Sequence, residues 1–298
     1  MRLQRNMPDV NRNQSSPDRA RTVSKPVVIY TAESRAREVG AIVRAMARGV
    51  IDGRYAAFRL ALRDVRGGYA KTMFGLFWDL ADPLVFGAIF YGLMIAGIVS
   101  PGDLDIPYPL FVTYGMLLYL TLTEAWLASL RLFQTSRAVL AQVKVPPEVL
   151  ILSVAFRVAF NSGFRILVLL VFSLAMGIFS PLGFVKFLAC FPLLTLAGMA
   201  LGLILAPLNA IYNDVERAVR LVILPLRFAS PVFFVIASEK LTRANPVAVL
   251  IDNLRELATA NQFSDPGALA LWSAAFAVLF LCGWYLFHIA VPVLAERA

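Results

Sequence analysis

The sequence predicts an all-α integral membrane protein with six transmembrane helices. An amino-terminal amphipathic interfacial helix precedes them. Three observations predict this class. Of 298 residues, 59% are hydrophobic and only 16% are charged, with a mean hydropathy of +0.71; a soluble domain is about half apolar and about a quarter charged. The apolar residues are gathered into long runs, and a helix needs ~20 of them to cross hydrocarbon. The net charge of +9 is uneven, since residues 1–82 hold 15 of the 28 Lys and Arg but only 8 of the 19 Asp and Glu. Lys and Arg beside membrane runs stay on the cytoplasmic side. No nucleic-acid motif accompanies the basic stretch, so nucleic acid is not an expected partner. The two cysteines, Cys190 and Cys282, lie in apolar runs and make no disulfide framework.

Residues 1–31 form a basic tail rich in Arg, Asn, Ser and Pro, expected to be disordered and without the apolar core of a signal peptide. Residues 32–82 form the cytoplasmic and interfacial helices. Phe58, Leu62, Val65 and Tyr69 fall on one helical face, with Arg59, Arg63 and Arg66 beside it, a pattern that suits a helix lying among lipid headgroups. Packing against a partner or the chain's own domain is the alternative. Residues 83–298 form the transmembrane domain.

The first run follows Pro83 and ends near Val99; a loop with Asp103 and Asp105 comes next. The second run, Tyr108 to Leu130, holds Glu124, the one acid well inside a run. A basic loop follows, with Arg131, Arg137 and Lys144. The third run is Val149 to Phe179 and the fourth Phe184 to Ala210, where Gly198 and Gly202 allow close helix packing. The loop Asn213 to Arg220 carries Asp214, Glu216 and Arg217. The fifth run, Leu221 to Ala237, is broken by Pro225 and Pro231, and the sixth is Ala268 to Leu294. Six spans put both termini on one side with the 131–148 and 213–220 loops. The charge bias makes that side cytoplasmic and leaves the 100–107 loop and Asn245–Asp265 outside.

The motifs of common chemistry are missing. There is no GxxxxGK[ST] phosphate loop, no HExxH and no CxxC, and His288 is the only histidine, expected in an interfacial aromatic belt with Trp284 and Tyr285. No catalytic residue, metal ligand or cofactor is expected on this chain. The third run carries Arg157, Asn161 and Arg165 at i, i+4 and i+8, along one helical face. Charges in hydrocarbon are costly, so this stripe is expected to face a wet cavity or to reach the interface. With Arg227 of the fifth run it forms a candidate path for a phosphate-bearing substrate.

Four segments in order resemble the ABC-2 type permeases that export bacterial cell-surface polysaccharides such as O-antigen, capsule and teichoic acid. The first is LALRDVRGGYAKTMFGLFWDLADPL (60–84), with Gly75, Trp78, Asp82 and Pro83 at the start of the first span. The second is RAVLAQVKVPPEVLILSVAF (137–156). The third is NAIYNDVERAVRLVILPLRFASPVFFV (209–235). The fourth is NPVAVLIDNLREL (245–257), similar to an external Asn-Pro and Arg-Glu motif. The resemblance covers roughly residues 55–294. It implies a homodimeric membrane domain driven by two separate ABC ATPase subunits, with ATP and Mg on those partners. It also implies a lipid-linked glycan as substrate and membrane lipid as surroundings. By the same resemblance, Phe58, Arg59, Leu62, Arg63, Arg66, Tyr69 and Trp78 form an interfacial gate helix. Arg137, Lys144, Asp214 and Glu216 couple to the ATPase. The resemblance further implies short re-entrant helices before the last span, with Asn245, Pro246, Arg255 and Glu256 forming an external re-entrant motif. The expected function is the permease subunit of an ATP-driven polysaccharide exporter in the bacterial inner membrane, both termini cytoplasmic. The alternatives are an ABC-2 exporter of a drug or lipid, or a membrane-embedded transferase acting on lipid-linked sugars, with Asp79 and Asp82 as its best candidate acids.

Overall fold

A computed structural model describes residues 39–69, 77–100, 102, 104–142, 145–236 and 238–295. The expected 1–31 tail and Lys144 lie outside the described residues. The chain divides into compact units 1–42 and 43–298, and the packing below is that of the second. In chain order the helices are α1 (Val39–Tyr69), α2 (Trp78–Ile95), α3 (Tyr108–Leu130), α4 (Leu132–Gln142), α5 (Pro147–Ala175) and α6 (Pro181–Cys190). They continue with α7 (Pro192–Ile211), α8 (Asp214–Phe228), α9 (Glu239–Ala244), α10 (Pro246–Ala260) and α11 (Pro266–Ala295).

Proline sets several of these starts. Pro147, Pro181, Pro192 and Pro246 sit in the first turn of α5, α6, α7 and α10, where no backbone N–H is missed. Two of these helices are also capped. The Ser180 hydroxyl accepts from the Gly183 N–H at 3.2 Å, and the Asn245 side-chain oxygen accepts from Val247 at 3.0 Å and Ala248 at 3.3 Å.

Among the described residues, four helical segments, not six, are long and apolar enough to cross a membrane: Tyr108–Leu130, Pro147–Ala175, Pro181–Ile211 (α6 and α7 together) and Pro266–Val291. The expected first span fails because α2 is apolar only over Pro83–Ile95. The expected fifth fails because its run is split. α8 begins in the polar segment at Asp214 and stops at Phe228, and residues 229–234 turn at Pro231. Nor do the residues before α11 show a re-entrant pattern. They form α9 and α10, and α10 packs along α6 and α3 with Leu250, Ile251, Leu254 and Leu257 fully buried. A hydropathy run does not show where a helix begins or breaks, so a short or broken apolar helix reads like a full span.

Helix α3 is the centre of the bundle, with Leu110, Tyr114, Leu118 and Leu122 buried on successive turns. It meets α7 through Gly198 and Gly202. A Cβ on Gly198 would stand 2.7 Å from the Ala125 Cβ and 3.0 Å from the Trp126 nitrogen; one on Gly202 would stand 2.6 Å from the Ser129 Cβ. The pair is thus an internal packing site. Gly283 brings α11 against α7 in the same way, 2.9 Å from the Ile204 nitrogen. Without a hydrophobic drive between helices in lipid, such approaches hold a bundle together.

Helix α1 packs by its small residues. Gly49 and Gly53 lie against Glu148 and Val149, and Ala57 and Ala61 continue the buried row. Phe58 stays exposed, its ring edge-on to Phe156 at 6.0 Å. The face that packs is therefore the glycine–alanine row rather than the Phe58–Leu62 row.

Gly198→Leu lowers the thermal midpoint of the detergent-purified protein, since overpacking against backbone costs on the order of 1–3 kcal/mol. Gly163, on α5, has open space around its Cβ position, so Gly163→Ala leaves the midpoint unchanged or raises it. Equal melting of both variants contradicts the packing role of Gly198.

Candidate functional site

A polar site lies between α3 and α5. The Glu124 carboxylate receives Asn161 Nδ2 on Oε1 at 2.6 Å and Arg165 Nη2 on Oε2 at 2.6 Å. Arg165 Nη1 also donates to Thr121 Oγ1 at 3.2 Å. Arg165 is 2% exposed. Asn161 and Arg165 share a face of α5, and Thr121 and Glu124 share one of α3, so the helical repeat brings both pairs together. Arg157, one turn nearer the α5 start, lines a cleft of about 260 Å³ with Glu124, Arg131 and Thr135. The sequence reading joined the three α5 residues but left Glu124 apart. The signal was there: a single intramembrane acid and an intramembrane arginine are each other's cheapest partner.

Arg227 does not join this cluster. It stands over the rings of Phe86 (5.4 Å) and Tyr119 (5.6 Å). Tyr119 and Thr121 are about 200° apart around α3 at 3.6 residues per turn, so Arg227 and Arg165 serve opposite faces. The Tyr119 hydroxyl donates to the Ile223 carbonyl, fixing α8 on α3.

At the bundle end that carries α4 and the α7–α8 turn, a polar joint ties four helices. Asn209, fully buried, donates to the Leu130 carbonyl at 3.1 Å and accepts the Glu216 N–H at 3.1 Å. Gln134 donates to the Asn209 carbonyl (2.9 Å) and to Asn213 Oδ1 (3.0 Å). Glu216 pairs with Arg131 at 3.0 Å and Arg220 at 2.9 Å. Of the expected coupling residues, Glu216 belongs to this joint. Asp214 is exposed and pairs with Arg217 at 3.1 Å; Arg137 is exposed over the Phe133 ring at 5.6 Å. Asn209 and Gln134 were not singled out in the sequence, since neutral amides at a span end carry no distinctive pattern. The same end holds Glu148, 1% exposed, whose Oε1 meets His288 Nδ1 at 2.5 Å. His288 thus holds the last turns of α11 to the start of α5 and serves more than an aromatic belt.

The expected gate residues fall on two helices: Phe58, Arg59, Leu62, Arg63 and Arg66 on α1, and Trp78 at the start of α2. Tyr69 closes α1. Arg59, Leu62, Arg63 and Arg66 line a shallow cleft of about 310 Å³, and Arg63 pairs with Asp64 at 2.8 Å.

At the opposite end, two sequence motifs meet. Asn245 Nδ2 donates to the Ala229 carbonyl at 2.8 Å, and Arg255 Nη1 donates to the Pro231 carbonyl at 2.8 Å. Arg255 also pairs with Asp252 and stacks over Phe111 at 3.7 Å. Burial pulls the Arg255 guanidinium down from its ordinary value, with Asp252 opposing. Burial pushes Asp252 up, and burial, then the Asp252 charge, pushes Glu256 up. Pro246 starts the helix that carries these groups.

Among the described residues, no three of His, Cys, Asp and Glu gather in a way that holds a metal. The fold is that of a helical, multi-spanning membrane protein whose polar groups are spent on joints between helices. No family profile matches the chain. It is similar to two O-antigen export system permease proteins named RfbA, both from Klebsiella pneumoniae. Each is 24% identical over 208 residues, which span 65% of this chain and 76% of theirs. The chain is thus distantly related to permeases of the ABC-2 exporter type, and a transport role without catalysis is consistent with that relationship.

Two outcomes follow. Glu124→Gln removes the carboxylate charge opposite a buried guanidinium and destabilises the protein by up to about 3–5 kcal/mol, whereas Glu124→Gln with Arg165→Gln recovers much of the loss; thermal melts of the wild type, both single variants and the double variant read the coupling. For Glu256 the folded carboxyl binds its proton more tightly than the unfolded one. Between its ordinary value and the raised one the folded state holds more protons, so stability falls as pH rises through that window. Glu256→Gln removes part of that fall, as melts between about pH 4 and 7 would read.

Proposed function

We propose that the chain is the permease subunit of an ATP-driven ABC exporter that moves a lipid-linked cell-surface polysaccharide, of O-antigen or capsule type, across the bacterial inner membrane. It works as a homodimer with two ABC ATPase subunits, and both termini and the α4 end of the bundle face the cytoplasm. The observation that carries the proposal is the joint at Asn209, Arg131 and Glu216. It links α4 and α8 to the ends of α3 and α7, so a push on either short helix is felt by two spans at once. The chain holds no phosphate-binding loop, so the work comes from a partner. The printed role of the Klebsiella relatives supports the polysaccharide substrate.

In this reading Arg137, Asp214 and Glu216, with Lys144 outside the described residues, receive the ATPase. Arg227 borders the path on the α2–α8 face of α3, while Arg157 and the Glu124–Asn161–Arg165 cluster lie on the opposite face, between α3 and α5. The α1 arginines and Trp78 guide the substrate at the interface. Asn245, Pro246, Arg255 and Glu256 brace the external end.

The decisive measurement is ATP hydrolysis in nanodiscs. The chain alone shows none, and an ABC ATPase encoded beside it shows hydrolysis that rises when the chain is present. Glu216→Lys lowers that stimulation and export while the protein still inserts; Arg131→Glu with Glu216→Arg restores part of both. Robust hydrolysis by the chain alone, or full stimulation in Glu216→Lys, overturns the proposal.

A further inference from the structure

The cleft beside the Glu124 cluster holds a cation that the protein itself does not answer. Glu124, Leu127, Ala128, Arg131 and Thr135 line one wall, from α3 into α4, and Arg157 of α5 lines the other. Arg157 is half-buried and makes no hydrogen bond, ion pair or ring contact among the described residues. It belongs to a membrane-crossing segment, where a guanidinium is costly and calls for an anion or water. The pairs Glu124–Asn161 and Thr121–Arg165 show that α3 and α5 run antiparallel. Arg157, one turn before Asn161, is therefore level with Ala128, one turn after Glu124. Ala128 adds only a methyl group there, which keeps space between the walls.

The neighbouring acids are spent elsewhere. One oxygen of Glu124 takes Asn161 and the other takes Arg165. Glu216 meets Arg131 at Nε (3.0 Å) and also serves Arg220. Arg157 thus keeps its full positive charge in the cleft. Arg131 is the first residue past the α3 span, and its terminal guanidinium nitrogens donate no hydrogen bond among the described residues. The Thr135 hydroxyl is used on the Arg131 and Leu132 carbonyls, at 3.2 Å each. Recognition therefore falls to two guanidinium groups, one on each wall. That arrangement suits a phosphate, whose oxygens point in several directions and which arginine binds through more than one of them. A surplus of one positive charge matches a phosphodiester, which carries a single negative charge, better than a diphosphate. Arg131 also marks the level where the apolar length of α3 ends, and there a bilayer begins its headgroup layer.

We propose that this cleft binds the phosphodiester headgroup of a phospholipid, with its phosphate oxygens accepting from Arg157 and from the terminal nitrogens of Arg131. The site is on the α5 side of α3, away from Arg227, and the inference stands whether or not the chain exports a glycan.

Thermal melts of the full-length chain in detergent test it, with native mass spectrometry reading occupancy. Phosphatidylglycerol raises the wild-type midpoint, because a ligand of the folded state stabilises it. A diacylglycerol with the same tails, which lacks the phosphate, does not. Arg157→Gln weakens phosphatidylglycerol binding about tenfold or more, the size of one lost charge-assisted hydrogen bond. Its midpoint in detergent alone is not lowered, since the charge removed had no partner in the protein. Ala128→Leu fills the cleft from the α3 wall and gives the same loss of binding should Arg157→Gln fail to fold. Neither variant touches the Arg131–Glu216 pair. Wild-type binding in the folded variants overturns the site. An equal rise with diacylglycerol overturns the headgroup assignment. Inorganic phosphate that stabilises the wild type as strongly as the lipid at equal concentration overturns the lipid as its source. Displacement of phosphatidylglycerol by an isoprenyl diphosphate overturns the phosphodiester and gives the cleft to a substrate anchor.

Discussion

Hydrocarbon offers no partner to a charge, so every intramembrane ionisable group must be answered from within the protein. The Glu124 fork answers three groups at once. One oxygen takes the Asn161 amide, the other takes Arg165, and the second arm of the guanidinium goes to Thr121. The register of α3 against α5 follows from it. Rotating α5 by one residue turns Arg165 through about 100° and leaves Glu124 and Arg165 each unpaired in an apolar layer. Apolar packing tolerates small slips between helices; a bifurcated pair does not. The remaining contacts of α3, with α7 through glycines and with α8 through Tyr119, are built around a helix whose rotation is already set.

The two ends of the bundle are held by different chemistry. At the α4 end the connections are amide and carboxylate bonds between helix termini. Asn209 satisfies a carbonyl left over at the end of α3 and an N–H at the start of α8, groups that a helix cannot satisfy itself. At the other end, Asn245 and Arg255 donate to carbonyls of the 229–231 turn. That turn lies on Gly115, where a Cβ would stand 2.7 Å from the Val232 Cα. Phe233 stacks on Phe90 at 4.0 Å. The broken segment after α8 is therefore a buried plug pressed on α3.

This contrast explains what the sequence disclosed. Helix class, the bounds of the second run and the packing glycines at 198 and 202 were legible, because composition, length and small-residue spacing act locally. Four spans instead of six were not legible. The apolar part of α2 is only Pro83–Ile95, and the 221–237 run is split where residues 229–234 fold back as a turn. The stripe on α5 was visible as a pattern, whereas its partner on α3 requires a distance across the bundle that no local rule supplies. The 49, 53, 57, 61 row of small residues was present in plain sight. The larger side chains beside it give the stronger amphipathic signal, although in a lipid setting the small face brings backbones together. Gln134, Asn209 and His288 act through bonds to distant segments, and nothing in their neighbours marks them.

The helices that fall short of spans also bear on assembly. α2 exposes Leu84, Val85, Ile89 and Ile95, and α8 exposes Leu221, Val222 and Leu224. The two meet at the Phe86, Phe90, Phe228 and Phe233 rings, so their bare faces belong to one side of the bundle. Lipid covers the face of α2 without strain. It covers α8 less readily, because Asp214, Arg217 and Arg220 are exposed on the same short helix and require water or polar surfaces within two turns of the apolar patch. A surface apolar at one level and wet at the next is poorly solvated by a uniform acyl layer. It is well solvated by a second protein surface bordering a water-filled passage. The proposed homodimer supplies such a surface, and Arg227, held between Phe86 and Tyr119 behind that face, would then lie close to the passage without having to enter lipid.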